Sequence, residues 1–168
     1  GNKDWYVRQM TDLYDHGFSY VDVVDISAAD VDWKIRLADC DVILISGGNT
    51  FHLLNQIRKT GFADWFKENL DSKVFVGISA GSIIMTPSIA IASVDDGDEN
   101  LIGLKDLTGM RLVDFEVSVH TPESVSHEGN KKYLEGIKNV LYGLDNNSAI
   151  KVVDDEIEIV SEGEWLKY

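Results

Sequence analysis

The sequence has 168 residues, 44% hydrophobic and 26% charged, with only two prolines, which is one domain's length of chain with enough apolar content for a core and no long disordered tract. Its formal net charge of −14 serves solubility first and attraction of cationic substrates second; it excludes nucleic acid and anionic membranes as expected partners, because both are bound through Lys and Arg clusters that are missing here. A single cysteine, Cys40, excludes an intrachain disulfide, a Cys-rich zinc centre and a dithiol redox pair, and without an apolar run near the roughly 18 residues of a membrane span or a signal peptide in "GNKDWYVRQM" the expected location is cytoplasmic.

From the start of the chain, Tyr6, Met10, Leu13 and Tyr14 recur at helical spacing until Gly17, which predicts an amphipathic helix closed by a glycine. "SYVDVVDI" (19–26) is rich in β-branched residues and predicts a strand, and Val31, Ile35 and Leu37 predict a second helix ending near Cys40, itself expected in the core. "DVILIS" (41–46) is a continuous apolar run, as in a parallel strand covered on both faces. Gly-Gly-Asn-Thr then opens the helix "TFHLLNQIRKTG" (50–61), and the helical "FADWFKENL" (62–70) leads to the buried strand "KVFVGI" (73–78). This alternation predicts right-handed βαβ units and an α/β fold, a mostly parallel sheet with helices on both faces.

Beyond Met85, "SIAIASVDDGDEN" (88–100) and "MRLVDFEVSVH" (110–120) predict strands joined by an acidic loop, and "GNKKYLEGIKNVLYGL" (129–144) predicts a helix. "SAIKVVDDEIEIV" (148–160) predicts a closing β-hairpin turned at Asp154 and Asp155. There is no internal repeat and no linker, so residues 1–168 are expected to form a single domain.

Ligands of open α/β sheets bind at the carboxyl ends of the strands, where two glycine turns fall: "ISGGNT" (45–50) and "GISAGS" (77–82). In the second, a buried strand runs through Gly-x-Ser-x-Gly into a helix. That pattern pushes Ser79 out of the sheet, and the flanking glycines permit the sharp turn. The Ala80 amide and an amide of Gly47 or Gly48 are candidate oxyanion donors. A serine hydroxyl needs a base, usually histidine. His16 ends the first helix, His52 follows the Gly-Gly-Asn-Thr turn and His127 lies in the polar "SVSHEGN". His120 ends a strand-like run facing the loops and is the expected base.

"SGGNTFHLL", "GISAGS" and "LVDFEVSVH" together resemble the successive motifs of the family of aspartyl dipeptidase (peptidase E) and cyanophycinase, over about residues 20–150. The resemblance implies a three-layer αβα sandwich like the class I glutamine amidotransferases (flavodoxin-like), with the C-terminal hairpin in addition. It also implies a serine peptidase that needs no cofactor or metal and hydrolyses peptide or isopeptide bonds of small peptides. Ser79 would be the nucleophile, His120 the base, Gly48 and Ala80 the oxyanion donors, and Asn49 part of the substrate pocket. Members of the family usually begin with further strands ahead of the first helix, so this domain is expected to lack N-terminal strands of the family.

The family also places a Glu behind the histidine in a late turn, where this sequence has Asn146 beside Asp145. An Asn accepts a hydrogen bond from the imidazole but does not offset the charge of an imidazolium. Asp95, in "SVDDGDE" (93–99), falls near where the resemblance to the dipeptidase places an aspartate and is by that resemblance the expected supporting acid, with Asp96, Asp145 and Asn146 as alternatives. No Arg or Lys follows Ser79 through Asp96, which suits a basic or neutral substrate better than an acidic one. Two rival readings are an α/β-hydrolase esterase, which would need a later histidine, and a weakly active or inactive relative that binds a ligand in the same pocket.

Overall fold

Parallel pairing of two short apolar strands, half-buried for most of their length, places everything around Ser79. In the computed structural model, which describes residues 4–168, β1 (Val42–Ile45) pairs in parallel with β2 (Val74–Gly77), from Val42 opposite Val74 to Ile45 opposite Gly77. The chain groups into two units, one ending at Cys40 and the other running from Asp41 to Tyr168.

In the first unit, α1 (Asp4–Asp15) has no buried residue, and its C-terminal turn closes at Gly17 with φ +95°. α2 (Trp33–Ala38) is capped by the Asp32 side chain and buries Trp33 and Leu37, one turn apart. The predicted strand over 19–26 does not form. β-branched composition favours an extended backbone, but a strand also requires a ladder partner. This segment is instead held by Arg36, whose guanidinium pairs with the Asp22 carboxylate and donates to the Val23 carbonyl at 3.0 Å.

In the second unit, α3 (Thr50–Lys59) and α4 (Phe62–Asn69) connect β1 to β2. α3 buries Phe51, Leu54 and Ile57 along one stripe and α4 buries Phe62 and Phe66, as helical periodicity requires. Phe66 meets Phe75 of β2 edge-on at 4.9 Å. After β2 the chain enters α5 (Ala80–Ile83).

The expected strand at 88–100 is a short 3-10 turn over Ala90–Ser93; its buried Ile91 and the preceding Ile89 fill the core. Its lone strand-like feature is a bridge from Ser88 to Thr108. β3 (Glu116–Ser118) occupies only part of the run expected at 110–120 and pairs in parallel with β4 (Leu141–Leu144). The helix predicted over 129–144 stops early: α6 spans His127–Leu134 and its expected last turn is β4. All four β4 residues are buried, so the apolar run "LYGL" is covered on both faces as a strand rather than on one face as a helix. The bare Gly143 admits the Tyr168 ring and the Asn130 side chain.

β5 (Ser148–Val153) and β6 (Glu156–Ser161) pair antiparallel around Asp154 and Asp155, at φ +48° and +66°, the turn geometry that fits the right-handed twist of hairpin strands. Ile150 and Ile159 pack against a core of Phe115, Val117, Tyr142 and Leu144. β7 (Trp165–Lys167) adds antiparallel to β4.

Candidate active site

Ser79 sits on a turn that requires glycine on both sides, at Gly77 and Gly81. β2 ends at Gly77, the Ile78 amide still bonds to the Ile45 carbonyl at 3.0 Å, and α5 begins at Ala80. A Cβ on Gly77 would fall 2.6 Å from the Gly81 carbonyl carbon, and one on Gly81 would fall 2.9 Å from that of Ile45. A Cβ on Gly47 would lie 3.2 Å from that of Ser79. Both glycines of the elbow are therefore steric requirements, while Gly47 of the neighbouring turn leaves a tight fit against Ser79. Ser79 itself has φ +53° and ψ −117°, a conformation worth about 1–3 kcal/mol of strain that persists only where the surroundings impose it. Ser82 helps impose it, its hydroxyl donating to the Gly77 carbonyl at 2.7 Å.

The parallel register of β3 and β4 brings the next two groups together. Ser118 lies opposite Gly143, so the turns after both strands open at the same end, one carrying His120 and the other Asn146. The Thr121 amide ties them, donating to the Leu144 carbonyl at 2.9 Å. His120, at φ +57°, has its Nε2 3.0 Å from Ser79 Oγ and its Nδ1 2.5 Å from Asn146 Oδ1. A carbonyl oxygen can only accept, so Nδ1 donates to it, and the imidazole in its neutral form turns the Nε2 lone pair to the serine hydroxyl. The other histidines lie elsewhere: His16 Nδ1 contacts the Asp12 carbonyl, His52 is exposed on α3, and His127 Nδ1 lies 2.5 Å from the Tyr168 hydroxyl.

The expected supporting acid is not at His120. Asp95 accepts the Ser126 amide at 2.9 Å and the Ser126 hydroxyl at 2.7 Å, bonds that hold its carboxyl below the usual range. It anchors the entry to α6, where Ser126 is the N-cap. Asp145 is likewise engaged, accepting from the Ser148 hydroxyl at 2.6 Å and the Glu164 and Asn147 amides at 2.7 and 2.9 Å. The Ser148 bond chiefly depresses its pKa, and the cluster fixes the turn that presents Asn146. Asn49, expected in the substrate pocket, is the N-cap of α3: its Oδ1 accepts the His52 amide at 3.0 Å and its Nδ2 donates to the Glu99 carbonyl at 2.9 Å.

Beside Ser79 lies a cavity of about 150 Å³ whose lining includes Gly48, Ser79, His120, Ile83, Ile91 and Val125, together with Asp96 and Asp98. Gly48 has φ +133° with open space where a Cβ would be, so its backbone can approach a ligand. The amides of Gly48 and Ala80 have no hydrogen-bond acceptor among the described residues. Asp98 is a wall residue that the sequence reading passes over within the acidic loop; its carboxylate accepts both the amide and the hydroxyl of Thr50 at 2.6 Å. The signal was a capping carboxylate 48 residues from its helix, which local spacing does not reveal. Among the described residues, no group of three His, Cys, Asp or Glu side chains could hold a metal ion, and no helix is long and apolar enough to cross a membrane.

The model of peptidase family S51 matches residues 1–160. An uncharacterized peptidase of Pasteurella multocida is 30% identical over 160 residues, covering 93% of this chain and 77% of its own length. Peptidase E of a Nostoc species is 25% identical over 134 residues, covering 74% of this chain and 54% of that protein. Among solved structures, a Listeria monocytogenes protein described as a candidate peptidase E superposes with a TM-score of 0.77 at 27% identity, over 92% of this chain and 76% of that one. A peptidase from an acI-B1 actinobacterium superposes with a TM-score of 0.68 at 18% identity, over 97% and 68%, a likeness of fold. The chain belongs to peptidase family S51, a family of serine peptidases, and is a hydrolase with an α/β fold.

Proposed function

We propose that this chain hydrolyses peptide or isopeptide bonds of small peptides, with Ser79 as nucleophile, His120 as general base and acid, and Asn146 positioning the imidazole. The observation that carries the reading is the line from Ser79 Oγ to His120 Nε2 at 3.0 Å and from His120 Nδ1 to Asn146 Oδ1 at 2.5 Å. Ser79 Oγ attacks the scissile carbonyl as its proton passes to Nε2, and the amides of Gly48 and Ala80 donate to the tetrahedral oxyanion. The imidazolium gives that proton to the departing amine, and water, deprotonated by the same nitrogen, releases the acyl group from Ser79. The reading carries with it the three-layer, flavodoxin-like arrangement that the sequence motifs imply, and the parallel pairs β1–β2 and β3–β4 support it.

A second reading, a weakly active or inactive binder of the same ligand, is favoured by one feature: Asn146 offers a dipole where a carboxylate would offer a charge. Hydrolysis of a short-peptide library by the parent and by Ser79→Ala separates the two. Cleavage lost in Ser79→Ala supports the peptidase; no cleavage by the parent, with peptide binding retained, supports the binder.

A further inference from the structure

We infer that the cavity beside Ser79 selects substrates carrying a cationic group, an ammonium or guanidinium, on the acyl side of the scissile bond, and that Asp96 is the residue that selects them. The inference rests on the assignment of Ser79 as nucleophile and adds the substrate's charge.

The cavity lining is chemically mixed. Ile83, Ile91, Ala92 and Val125 supply apolar surface, and Asp96 and Asp98 bring carboxylates to the same lining. No Lys or Arg is among the lining residues, and His120 is their sole group able to carry a positive charge. The two acids differ in what already holds them. Asp98 accepts two hydrogen bonds from Thr50 at the start of α3, so a fixed donor set already compensates much of its charge. Asp96 has no hydrogen bond or ion pair among the described residues and is an exposed member of the lining.

The cations near this region in sequence are directed elsewhere. Arg58 donates to the Asp106 carbonyl at 2.8 Å and pairs with the Asp106 carboxylate at 3.2 Å, while Lys105 and Arg111 are not in the lining. An anionic side chain entering this cavity would thus meet like charge and no partner. An aliphatic stem ending in a cation would lay the stem on the isoleucines and bring its head to Asp96, the way Lys and Arg side chains divide between apolar and polar surroundings. A cavity of about 150 Å³ suits one residue of a short peptide.

The cation has two sources, a basic side chain or the free α-amino group of the substrate's first residue. Fluorogenic amides of lysine, norleucine and glutamate, each with a free and an acetylated amino group, distinguish them. For the parent, kcat/KM is expected to be about five- to tenfold higher for lysine than for norleucine, and lowest for glutamate, within the acetylated series if the side chain is read. If the α-amino group is read, the free amines exceed the acetylated compounds by a similar factor. In Asp96→Asn the ratio between cationic and neutral substrates shrinks to within about twofold. Equal or greater activity on glutamate, or a preference for cations that survives Asp96→Asn unchanged, overturns the inference. Labelling of Ser79 by a fluorophosphonate, measured in parallel, separates the failures: a labelled enzyme without charge preference removes the substrate inference alone, and an unlabelled one removes both.

Discussion

Replacing Asn146 by Asp tests how much of the expected chemistry the neutral partner leaves out. The two side chains are nearly the same size, so the carboxylate would take the place of Oδ1, 2.5 Å from His120 Nδ1, without disturbing the Asp145 cluster that fixes the turn. During acyl transfer the imidazole becomes a cation, and two unit charges about 4 Å apart attract by about 4 kcal/mol at an effective dielectric constant of 20. Asn146 is exposed, so solvent screening reduces this to about 1–2 kcal/mol, equivalent to roughly 5- to 30-fold in kcat/KM. Steady-state hydrolysis of a short peptide amide at neutral pH, parent against Asn146→Asp, reads the effect. An unchanged kcat/KM would refute the reasoning, because the group on Nδ1 would then have no bearing on the charge of the imidazole.

Three further outcomes are expected. Gly81→Ala, whose Cβ would press on the Ile45 carbonyl, lowers stability by about 2 kcal/mol or more, visible as a reduced Tm; a Tm equal to the parent's would mean the elbow is not closely packed. Asp95→Ala, which strips Ser126 of its carboxylate partner, lowers Tm while serine-directed labelling stays within about threefold of the parent, and a loss of labelling of a hundredfold or more would restore Asp95 to the catalytic machinery. Glu116 is 1% exposed on β3, and burial raises its pKa, with hydrogen bonds from Asn139 and Tyr133 opposing the shift. Because the folded state then holds its proton more tightly than the unfolded chain, the associated stability is present in full below the unfolded pKa and declines as pH rises through the folded one. Glu116→Gln should therefore have a Tm that falls less than the parent's from pH 4 to pH 8, and parallel Tm curves would contradict the assignment.

The parts of the fold legible in the sequence are those whose signal is local. The run "DVILIS" is apolar on both faces and became β1, and "TFHLLNQIRKTG" carries a single apolar stripe and became α3. Segment 19–26 and "VLYGL" depart from their local signals for one physical reason, since strand formation depends on a partner elsewhere in the chain. The first lacks one among the described residues, and the second finds two, β3 and β7.

The candidate site divides in the same way. Ser79 was legible because its glycines are steric requirements of the elbow, and His120 because it follows a buried strand. The identity of the group on Nδ1 was not, because it depends on the parallel register that sets Ser118 against Gly143. Asn49 did carry a legible signal, that of an Asn immediately before a helical run, and its capping role follows from it.

The most direct test of the account is the site of modification by a fluorophosphonate, read by peptide mass mapping of the parent, Ser79→Ala and His120→Ala. The expected result is one adduct, on Ser79, absent from Ser79→Ala and formed at least a hundredfold more slowly in His120→Ala. An adduct elsewhere in the chain, or a parent that takes none, would contradict it.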